Sequence, residues 1–506
     1  MSIKIEKWGM FEAGFECRGT ANPFTDVFFT AVFKNGGTEV KVNGFYDGDD
    51  TFRIRFMPGI LGEWKYTTAS NKDELDSKEG SFICTKAREG SHGPVGAAKR
   101  FHFAYADGTP YYPFGTTSYG WVHQKDGLAY QTIDSLKNSP FNKIRTGITP
   151  HYSKFSQDNM RHYPYVGDPE AGWDYSRFDP KYFQMVEDRI QKLMDIGVEA
   201  DLILLHPYAG PWGFSRKPQD ADIAFVKYCV ARFAAFRNVW WSLANEYDMV
   251  ETKTVKEWDD LCKTVQEADP YAHLLSIHNY MRLYENWQPW ISHATIQDGM
   301  AVGEAGRAVL YLKAYHKPVI YDEVCYEGNF DLRWGDLSAQ EMTRRFWNGM
   351  IAGAYVGHGE VIDLPDENGE LVWTAVGGRL KGGSGKRIGF LRQIIEDGTG
   401  HGWEAVDKWW LTGMAKKDEK QFLVYFGEQM PDEWKFFIPT KDVDVTPGTK
   451  YEAEIIDTWN MTIKKVDDTF ILGDPGQYGY ADCEEKAIKL PRKKYLAIRI
   501  IEIQSN

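Results

Sequence analysis

The stretch VWWSLANEY at residues 239–247 decides the fold class of this chain. The residues before Asn245 are apolar or small and do not alternate with polar ones, which argues against a strand with one face in water. A short apolar run of this kind is typical of a strand that is buried on both faces in a parallel α/β sheet. In barrels of that class the chemistry lies at the carboxyl ends of the strands. We therefore predict that Asn245 and Glu246 lie at the mouth of a barrel.

A second stretch, KPVIYDEVCYE at residues 317–327, has the same design, because a short apolar run ends in the carboxylate of Glu323. Glycosidases need two carboxyl groups, one to protonate the leaving oxygen and one to attack or stabilise the anomeric carbon. If the two stretches are the fourth and seventh strands of a barrel, their ends face each other across its mouth. We predict a retaining glycosidase with Glu246 as the acid/base and Glu323 as the nucleophile, about 5 Å apart.

Two more polar residues at strand ends complete the predicted constellation. Asn245 is adjacent to the acid and is expected to hydrogen-bond the sugar 2-hydroxyl, a contact that strengthens in the transition state. Arg145 follows the predicted second strand and is expected to pair with Glu323 and keep it ionised. Glu246 must instead stay protonated, which a less polar setting and repulsion from Glu323 favour.

Composition and charge argue against several classes of protein. The chain has 506 residues, too many for a single core, and a formal net charge of -13 without a long basic run. Nucleic-acid binding relies on clustered Lys and Arg, so no nucleic-acid partner is expected. The six cysteines are scattered without a CxxC pair, which predicts neither a zinc site nor a disulfide framework and suits a reducing compartment.

The sequence has no apolar segment of signal-peptide length at its start and none of the roughly 20 residues that a membrane span needs. It therefore predicts a cytoplasmic enzyme without a membrane partner. No cofactor and no metal are expected, and the sequence leaves a homo-oligomer open.

The chain divides by pattern into three predicted domains. Residues 1–95 and 405–506 carry short strands separated by Gly, Asn and Asp turns, which is typical of β-sandwiches. Residues 96–404 alternate strands with helices, and eight such units indicate a closed barrel. The predicted fold class is α/β, a (β/α)8 TIM barrel flanked by an N-terminal and a C-terminal β-sandwich. The eight predicted barrel strands are 111–116, 141–146, 198–206, 239–246, 273–278, 294–297, 319–323 and 353–358.

The clearest helix signal in the predicted barrel follows Asp179, which can cap free N–H groups, and Pro180, which suits a first turn. An apolar stripe at helical spacing follows, and Gly197 is a plausible end. It is formed by Phe183, Val186, Ile190 and Leu193.

Residues in the presumed loops after the strands are candidates for sugar binding. Aromatic faces pack on the apolar faces of sugar rings, although aromatic residues also fill large cores. Glu327 lies four residues beyond Glu323 and is a candidate for binding substrate hydroxyls; a salt bridge with Arg333 or Arg344 is the alternative. The tryptophans in these loops are Trp121, Trp212, Trp334 and Trp373.

The segment from Trp241 to Glu246 resembles the Asn-Glu signature of clan A glycoside hydrolases, which are retaining (β/α)8 enzymes. Within that clan the chain is most similar to the apiosidase-like (DUF4038-type) family, with flanking regions that resemble the DUF5060 and DUF5605 domains. One difference is that Glu360 and Val361 follow Gly357-His358, where such barrels commonly carry small residues and Tyr. The segments that carry this likeness are 244–248, 317–323, 325–327, 352–354 and 357–359.

The resemblance implies further substrate-binding residues. His206 ends the predicted third strand, where clan A enzymes often place a sugar-binding histidine. His278-Asn279-Tyr280 is similar to the His-x-Tyr after a mid-barrel strand in this clan, which implies that Tyr280 hydrogen-bonds the nucleophile. His358 belongs to the matching 357–359 segment and is expected at the substrate. The carboxylate pair and the lack of an export signal, rather than the resemblance, predict exo action on a short oligosaccharide or glycoside, since polymers do not enter the cytoplasm.

Two other functions compete with this prediction. A metal-dependent barrel hydrolase would use His123, His151, His206 and His278, but metal sites of that sort usually show a close pair such as HxH on one strand. A non-catalytic carbohydrate-binding protein would bind sugar without turnover, and the 18 Trp of the chain are compatible with it.

Overall fold

The computed structural model describes most of the chain. The described residues are 3–152, 160, 162–299, 301–303, 306–364, 372–398, 400, 402–406, 411, 413–418, 420–440 and 443–503.

The centre of the molecule is a barrel of eight parallel strands. The two outermost strands of the hydrogen-bonded order are joined by a parallel bridge between His278 and Thr295, which closes the barrel. The predicted fold class is therefore confirmed. In order around the barrel the strands are Leu275–Ser276, Val239–Ala244, Glu199–Leu205, Lys143–Gly147, Gly115–Thr117, Tyr355–His358, Val319–Glu323 and Ala294–Gln297.

The sixth and seventh barrel strands have the predicted bounds, 294–297 and 319–323. The first strand begins at Gly115 rather than at Tyr111, because Tyr111 pairs with Phe103 in a separate small sheet. Pro113 lies between the two segments and has no N–H to donate to a ladder. The fifth strand is only two residues long, and the bridge at His278 continues its direction.

Helices follow most barrel strands and cover the outside of the barrel. The helix Pro180–Asp195 begins as its sequence predicts, since the side chain of Asp179 accepts a hydrogen bond from the Lys181 N–H over 3.0 Å. The segment 277–293, between the fifth and sixth strands, has no helix. The helices are Asp126–Lys137, Pro180–Asp195, Gln219–Phe233, Val255–Ala268, Gly306–Tyr315, Ala339–Ile351, Trp373–Val376 and Ser384–Glu396.

Short elements shape the loops at the barrel mouth. They are the 3-10 turns Trp121–His123, Gly210–Trp212, Phe214–Arg216, Tyr247–Met249 and Ala301–Gly303, the antiparallel pair Tyr165–Asp168 and Gly172–Phe178, and the parallel pair Glu327–Gly328 and Glu360–Val361.

Two sheets form the N-terminal region around an aromatic core. Phe33 stacks on Phe56 with ring centroids 4.2 Å apart, and Phe11 stacks on Phe82 at 4.5 Å. The strands of the larger sheet are Lys4–Glu6, Glu79–Thr85, Gly62–Ser70, Phe29–Asn35 and Thr38–Asn43, and those of the smaller are Phe11–Glu16, Thr51–Phe56 and Phe45–Tyr46.

A three-stranded sheet covers the amino-terminal end of the barrel. Its strands are Val95–Ala98, His102–Tyr105 and Pro110–Tyr111. The ring of Phe103 is buried and lies 5.4 Å from Trp240, 5.6 Å from His293 and 5.5 Å from Tyr355. Tyr355 begins its strand, Trp240 is the second residue of its strand and His293 directly precedes the sixth strand, so Phe103 packs against the amino-terminal end of the barrel.

The C-terminal region is also built from strands. Its core includes Phe436 stacked on Phe470 with ring centroids 4.8 Å apart. The strands are Glu404–Ala405, Met414–Lys417, Gln421–Tyr425, Glu433–Lys435, Phe437–Pro439, Lys450–Asp457, Thr462–Lys465, Phe470–Pro475, Gly479–Asp482, Ala487–Lys489 and Leu496–Glu502.

Buried ion pairs join the N-terminal sheets to the barrel helices. Arg55 donates to Glu187 over 2.5 Å, and Arg232 donates to Asp47 over 2.7 Å and to Glu187 over 2.8 Å. Arg232 is fully buried. The boundaries at 95/96 and 404/405 stay predictions. In the part of the chain that the structure describes, no helix has both the length and the apolarity that a membrane crossing requires.

Candidate active site

Glu246 and Glu323 meet at the carboxyl end of the barrel. Glu246 lies two residues after the fourth strand, and Glu323 is the last residue of the seventh. The side-chain amide of Gln297 donates to Oε1 of Glu246 over 3.0 Å and to Oε2 of Glu323 over 3.2 Å. Because one nitrogen contacts both oxygens, these two oxygens are at most about 6 Å apart. The carboxylates that the sequence predicts as a pair are thus neighbours in space.

Gln297 owes its position to an irregularity in the sheet. The pairing of the sixth and seventh strands shifts register between Thr295 and Gln297, which sets Gln297 beside Glu323. A bulge of this kind re-aims a side chain at the end of a strand. The side chain of Gln297 consequently points into the site between the two carboxylates.

Glu246 has a strained backbone. Its φ is 45° and its ψ is 52°, in the left-handed region that residues other than glycine seldom adopt. The turn carries the chain from the buried fourth strand directly into the 3-10 turn Tyr247–Met249. Strain of this kind costs of order 1–3 kcal/mol and clusters at functional sites.

Glu246 lies in a setting that favours its protonated form. Glu246 is 4% exposed, and the hydroxyl of Tyr208 donates a hydrogen bond to its Oε2. Burial, followed by the negative charge of Glu323, raises the pKa of Glu246 to about 8. At neutral pH this carboxyl therefore carries a proton.

Glu323 is surrounded by donors. Its Oε1 accepts from Nη1 of Arg145 over 3.0 Å and from the hydroxyl of Tyr119 over 2.5 Å, while Oε2 accepts from Gln297. Nε2 of His278 lies 3.5 Å from Oε1. Charge-assisted donors of this kind stabilise a negative carboxylate. The two glutamates thus have opposite surroundings.

Arg145 connects the two halves of the site. Its Nη2 donates to Oδ1 of Asn245 over 2.6 Å, while Nη1 is held by Glu323. A guanidinium only donates, so the amide oxygen of Asn245 faces Arg145 and its NH2 group faces the other way. That NH2 group lies 3.5 Å from Oε2 of Glu246. Asn245 therefore offers a donor beside Glu246.

A layer of buried charge lies beneath this site. Lys143, two residues before Arg145 on the same strand, donates to Asp201 over 2.6 Å and to Asp322 over 2.9 Å. All three side chains are almost completely buried. The alternation of side chains along a strand puts Lys143 and Arg145 on the same face, toward the barrel interior.

Two tyrosines form a wall beside Glu323. The hydroxyls of Tyr119 and Tyr326 are 2.9 Å apart, and the ring of Tyr119 stacks on His151 with centroids separated by 4.6 Å. Burial raises the pKa of both tyrosines well above the ordinary value. Trp334 packs edge-on against Tyr326 and is partly exposed at the mouth.

Tyr119, Tyr208 and Gln297 were not singled out from the sequence as site residues. Each stands at or within three residues of the end of a barrel strand. The strand-end rule that located Glu246 and Glu323 also covers these positions when it is applied to phenols and amides. A hydrogen-bonding side chain at such a position is the signal that would have found them.

The other predicted site residues lie at varied depths. His206 is buried: its Nε2 contacts the carbonyl of Thr149 over 3.0 Å, so Nε2 carries the proton, and Nδ1 accepts from the N–H of Tyr208 over 3.1 Å. Tyr280 is 45% exposed, and the tyrosine that donates to Glu323 is Tyr119. Sugar contacts of His206 and Tyr280 stay predictions.

Three of the four predicted tryptophans, all except the exposed Trp334, are more buried than a sugar platform at the surface would be. Trp121 is fully buried, and Trp212 is 5% exposed with its ring 6.2 Å from that of Tyr152. Trp373 is buried and donates to Oγ1 of Thr116 over 2.9 Å. Their stacking on sugar also stays a prediction.

Glu327 and His358 lie together behind Tyr326, with Glu360. One nitrogen or oxygen of each of the three lies within 4.8 Å of the others, and all three residues are buried. This is the one set of three metal-ligand side chains found among the described residues. It includes none of the histidines predicted for a metal-dependent hydrolase, which are His123, His151, His206 and His278.

Residues 97–360 match the model of the apiosidase-like catalytic domain, which is more than half of the chain. The chain belongs to the apiosidase-like family. On either side of this domain, residues 4–71 match the DUF5060 domain and residues 409–501 the DUF5605 domain, both of unknown function. The family resemblance predicted from the sequence is confirmed.

Solved structures support the same assignment for this apiosidase-like protein. A protein from Bacteroides vulgatus ATCC 8482, described as a putative glycoside hydrolase, is 39% identical, with a TM-score of 0.94 over 99% of this chain and 100% of that chain. A glycoside hydrolase family 5 protein from the same organism is 13% identical, with a TM-score of 0.59 over 81% of this chain and 93% of that one, a likeness of fold alone. The comparison with curated proteins found no match. Family and fold together support glycosidase activity.

Proposed function

We propose that this protein is a retaining, exo-acting glycoside hydrolase that cleaves short oligosaccharides or glycosides. The observation that carries the proposal is the contact of one amide nitrogen, that of Gln297, with both Glu246 and Glu323. Retaining enzymes hold their carboxyl groups about 5–5.5 Å apart, whereas inverting enzymes leave about 6.5–9.5 Å for a water. A single amide donor bridging both carboxylates fits the shorter spacing.

Glu246 is proposed as the acid/base because its pKa is raised and it carries a proton at neutral pH. In the first step it gives that proton to the glycosidic oxygen as the bond to the anomeric carbon breaks. In the second step the ionised Glu246 takes a proton from water, and the resulting hydroxyl attacks the anomeric carbon. The leaving alcohol and the water thus exchange one proton through the same carboxyl group.

Glu323 is proposed as the nucleophile because three donors, on Arg145, Tyr119 and Gln297, stabilise its charge. One of its oxygens bonds to the anomeric carbon in the first step and leaves it in the second, so the configuration is inverted twice and retained overall. Asn245, whose amide oxygen is fixed by Arg145, presents its NH2 group to the sugar 2-hydroxyl.

Exo action is supported by the wall that Tyr119, Tyr326 and Trp334 form on the side of Glu323. A wall there restricts the number of sugar units beyond the innermost subsite. The sugar itself is left open, because single pocket contacts discriminate by only about 1–3 kcal/mol. The cytoplasmic location and the oligomeric state stay predictions.

The decisive experiment is a hydrolysis screen with aryl pentosides, hexosides and furanosides, followed by NMR of the first-formed anomer. Glu323→Ala should abolish turnover, and Glu246→Gln should slow substrates with poor leaving groups most. Azide should restore activity to Glu246→Gln by attacking the glycosyl-enzyme without needing a general base. Glu251→Gln, an exposed glutamate near the mouth, is the matched control. Unimpaired turnover in both variants, or an inverted first product, would contradict the proposal.

A further inference from the structure

A second cluster of chemistry-bearing side chains lies outside the site described above. Glu327, His358 and Glu360 are 5%, 0% and 2% exposed, and one ligand-type atom of each lies within 4.8 Å of the others. None of the three has a hydrogen bond to Glu246 or Glu323 among the described contacts. The glycosidase mechanism therefore does not account for them.

A short β-ladder brings the carboxylates of Glu327 and Glu360 together. Glu327–Gly328 pairs in parallel with Glu360–Val361, and the register sets Glu327 opposite Glu360. Like charges directly opposite each other in a ladder are destabilising. Burial adds the cost of removing both carboxylates from water. A cation or a shared proton between the two carboxylates would offset these costs.

Backbone amides provide part of that compensation. Glu327 accepts from the N–H groups of Gly383, over 2.6 Å, and Ser384, over 3.1 Å, at the start of the helix Ser384–Glu396. Glu360 accepts from the N–H of Lys381 over 2.7 Å. Nζ of Lys381 donates to the carbonyl of Leu364, and the positive charge of this side chain adds a weaker attraction to Glu360.

His358 points an unpartnered nitrogen into the cluster. Its Nδ1 contacts Oγ1 of Thr116 over 3.1 Å, and that oxygen also accepts from Trp373, so the ring is fixed from behind. Its Nε2 is fully buried, has no hydrogen-bond partner and lies 3.6 Å from Oε1 of Glu360. A buried polar atom without a partner demands an explanation.

The chain also leaves room between the carboxylates. A Cβ on Gly382 would lie 2.6 Å from Oε2 of Glu327 and 2.6 Å from Oε1 of Glu360. The φ of Gly382 lies outside the left-handed region, so its backbone does not require glycine. A glycine at position 382 therefore keeps the gap between these two carboxylate oxygens free of a side chain.

We propose that Glu327, His358 and Glu360 bind a divalent transition-metal cation of the Zn²⁺ class. One imidazole nitrogen and two carboxylate oxygens are ligands that suit Zn²⁺ with a fourth position for water, whereas Ca²⁺ prefers six to eight oxygens. The cation neutralises the paired carboxylates and gives Nε2 of His358 its missing partner. The backbone amides and Thr116 orient the ligands from outside.

The role of this cation is structural. It ties the segment after the seventh strand to the segment after the eighth and to the helix Ser384–Glu396. Tyr326, which precedes Glu327, contacts Tyr119 beside Glu323, so the cation fixes the wall of the candidate active site. This role differs from the substrate contacts predicted for Glu327 and His358 from the sequence.

The test is metal binding by the full-length protein. After treatment with a chelator, the protein is titrated with Zn²⁺ by calorimetry, and thermal melts are recorded with and without the metal. We expect about one equivalent bound and a rise in Tm of several degrees. Glu360→Gln and His358→Gln should lower the affinity by roughly tenfold or more. Gly382→Ala keeps all three ligands and should weaken binding by filling the space.

Two controls separate this site from adventitious zinc. His92→Gln removes the surface histidine beside Asp107 and should bind as the wild type does. Cys483→Ser removes an exposed thiol, and X-ray absorption of the zinc complex should show nitrogen and oxygen ligands without sulfur. A wild-type protein that binds no zinc, or whose bound zinc survives all three cluster substitutions, overturns the proposal. These readouts do not depend on glycosidase activity.

Discussion

The hydroxyl of Tyr119 donates a hydrogen bond to Oε1 of Glu323 over 2.5 Å, and 204 residues separate the two along the chain. Tyr119 follows the first barrel strand and Glu323 ends the seventh. Only the eighth strand lies between these two in the barrel, so the bond ties two nearby strand ends together and holds the proposed nucleophile in one rotamer.

Tyr119→Phe should lower kcat without a comparable rise in KM, because the lost bond orients and stabilises the charged carboxylate rather than binding substrate. A hydrogen bond to a charged group is worth about 2 kcal/mol, which corresponds to about 30-fold in rate. Steady-state kinetics on the best aryl glycoside measures the change. Tyr326→Phe, which removes a neighbouring hydroxyl with no bond to Glu323, is the control; equal losses in both variants would contradict the assignment.

The pKa of about 8 for Glu246 predicts the alkaline limit of activity. The first step needs the protonated acid, so kcat/KM should fall as pH rises through about 8. Glu246→Gln should remove that limb while its residual activity stays low. A pH profile of kcat/KM from pH 5 to 10 checks this. An alkaline limb that persists in Glu246→Gln would assign the titration to another group.

The same shift predicts an effect on stability. The pKa of Glu246 lies above its ordinary value of 4.5, so between pH 4.5 and about 8 the folded protein holds a proton that the unfolded chain has lost. Stability from this group is therefore present at acid pH and declines as pH rises. Glu246→Gln should melt at a higher temperature than the wild type at pH 8 and at nearly the same temperature at pH 4. The opposite order would contradict the raised pKa.

The proximity of the two glutamates was predictable because each follows closely on a short, mainly apolar run, and barrels collect strand ends at one mouth. Tyr119 was not, because the residues directly before it are Thr116, Thr117 and Ser118 rather than an apolar run. The apolar look of residues 111–116 suggested an early start, but the tertiary pairing of Tyr111 with Phe103 removes it from the barrel. The strand that ends at Gln297 was predicted with the correct bounds. The direction of the Gln297 side chain toward the two glutamates depends on a register shift that no sequence pattern encodes.

Glu327 illustrates a different limit of sequence reasoning. Its distance from Glu323 in the sequence placed it near the mouth, where its predicted partner was a substrate hydroxyl or an arginine. Its neighbours in the structure are instead Glu360, through a two-residue ladder, and the amides of Gly383 and Ser384. Contacts between segments so far apart in the chain arise only once the barrel has closed.

The buried ion pairs between the N-terminal sheets and the barrel predict a large loss of stability on substitution. Arg232→Met removes the fully buried cation shared by Asp47 and Glu187, so that Asp47 keeps only Arg53 and Glu187 only Arg55. Breaking such a pair from one side costs about 3–5 kcal/mol. Urea unfolding followed by circular dichroism measures the change. Lys34→Met, which breaks an exposed pair with Glu39, should cost less than about 1 kcal/mol. Similar losses in both variants would contradict the buried role.

Gln297→Leu separates the two carboxylates from their shared donor. The amide hydrogen bond to Glu246 favours the ionised form of that carboxyl, so its loss should move the alkaline limb of kcat/KM to higher pH. The variant should also lower kcat, since Glu323 loses one of its three donors. The matched control is Gln191→Leu, an amide on the outer face of a barrel helix that contacts Asp195. If the alkaline limb of kcat/KM stays near pH 8 while kcat falls, Gln297 acts on Glu323 alone. If neither the pH profile nor kcat changes, the position of Gln297 between the two carboxylates is contradicted.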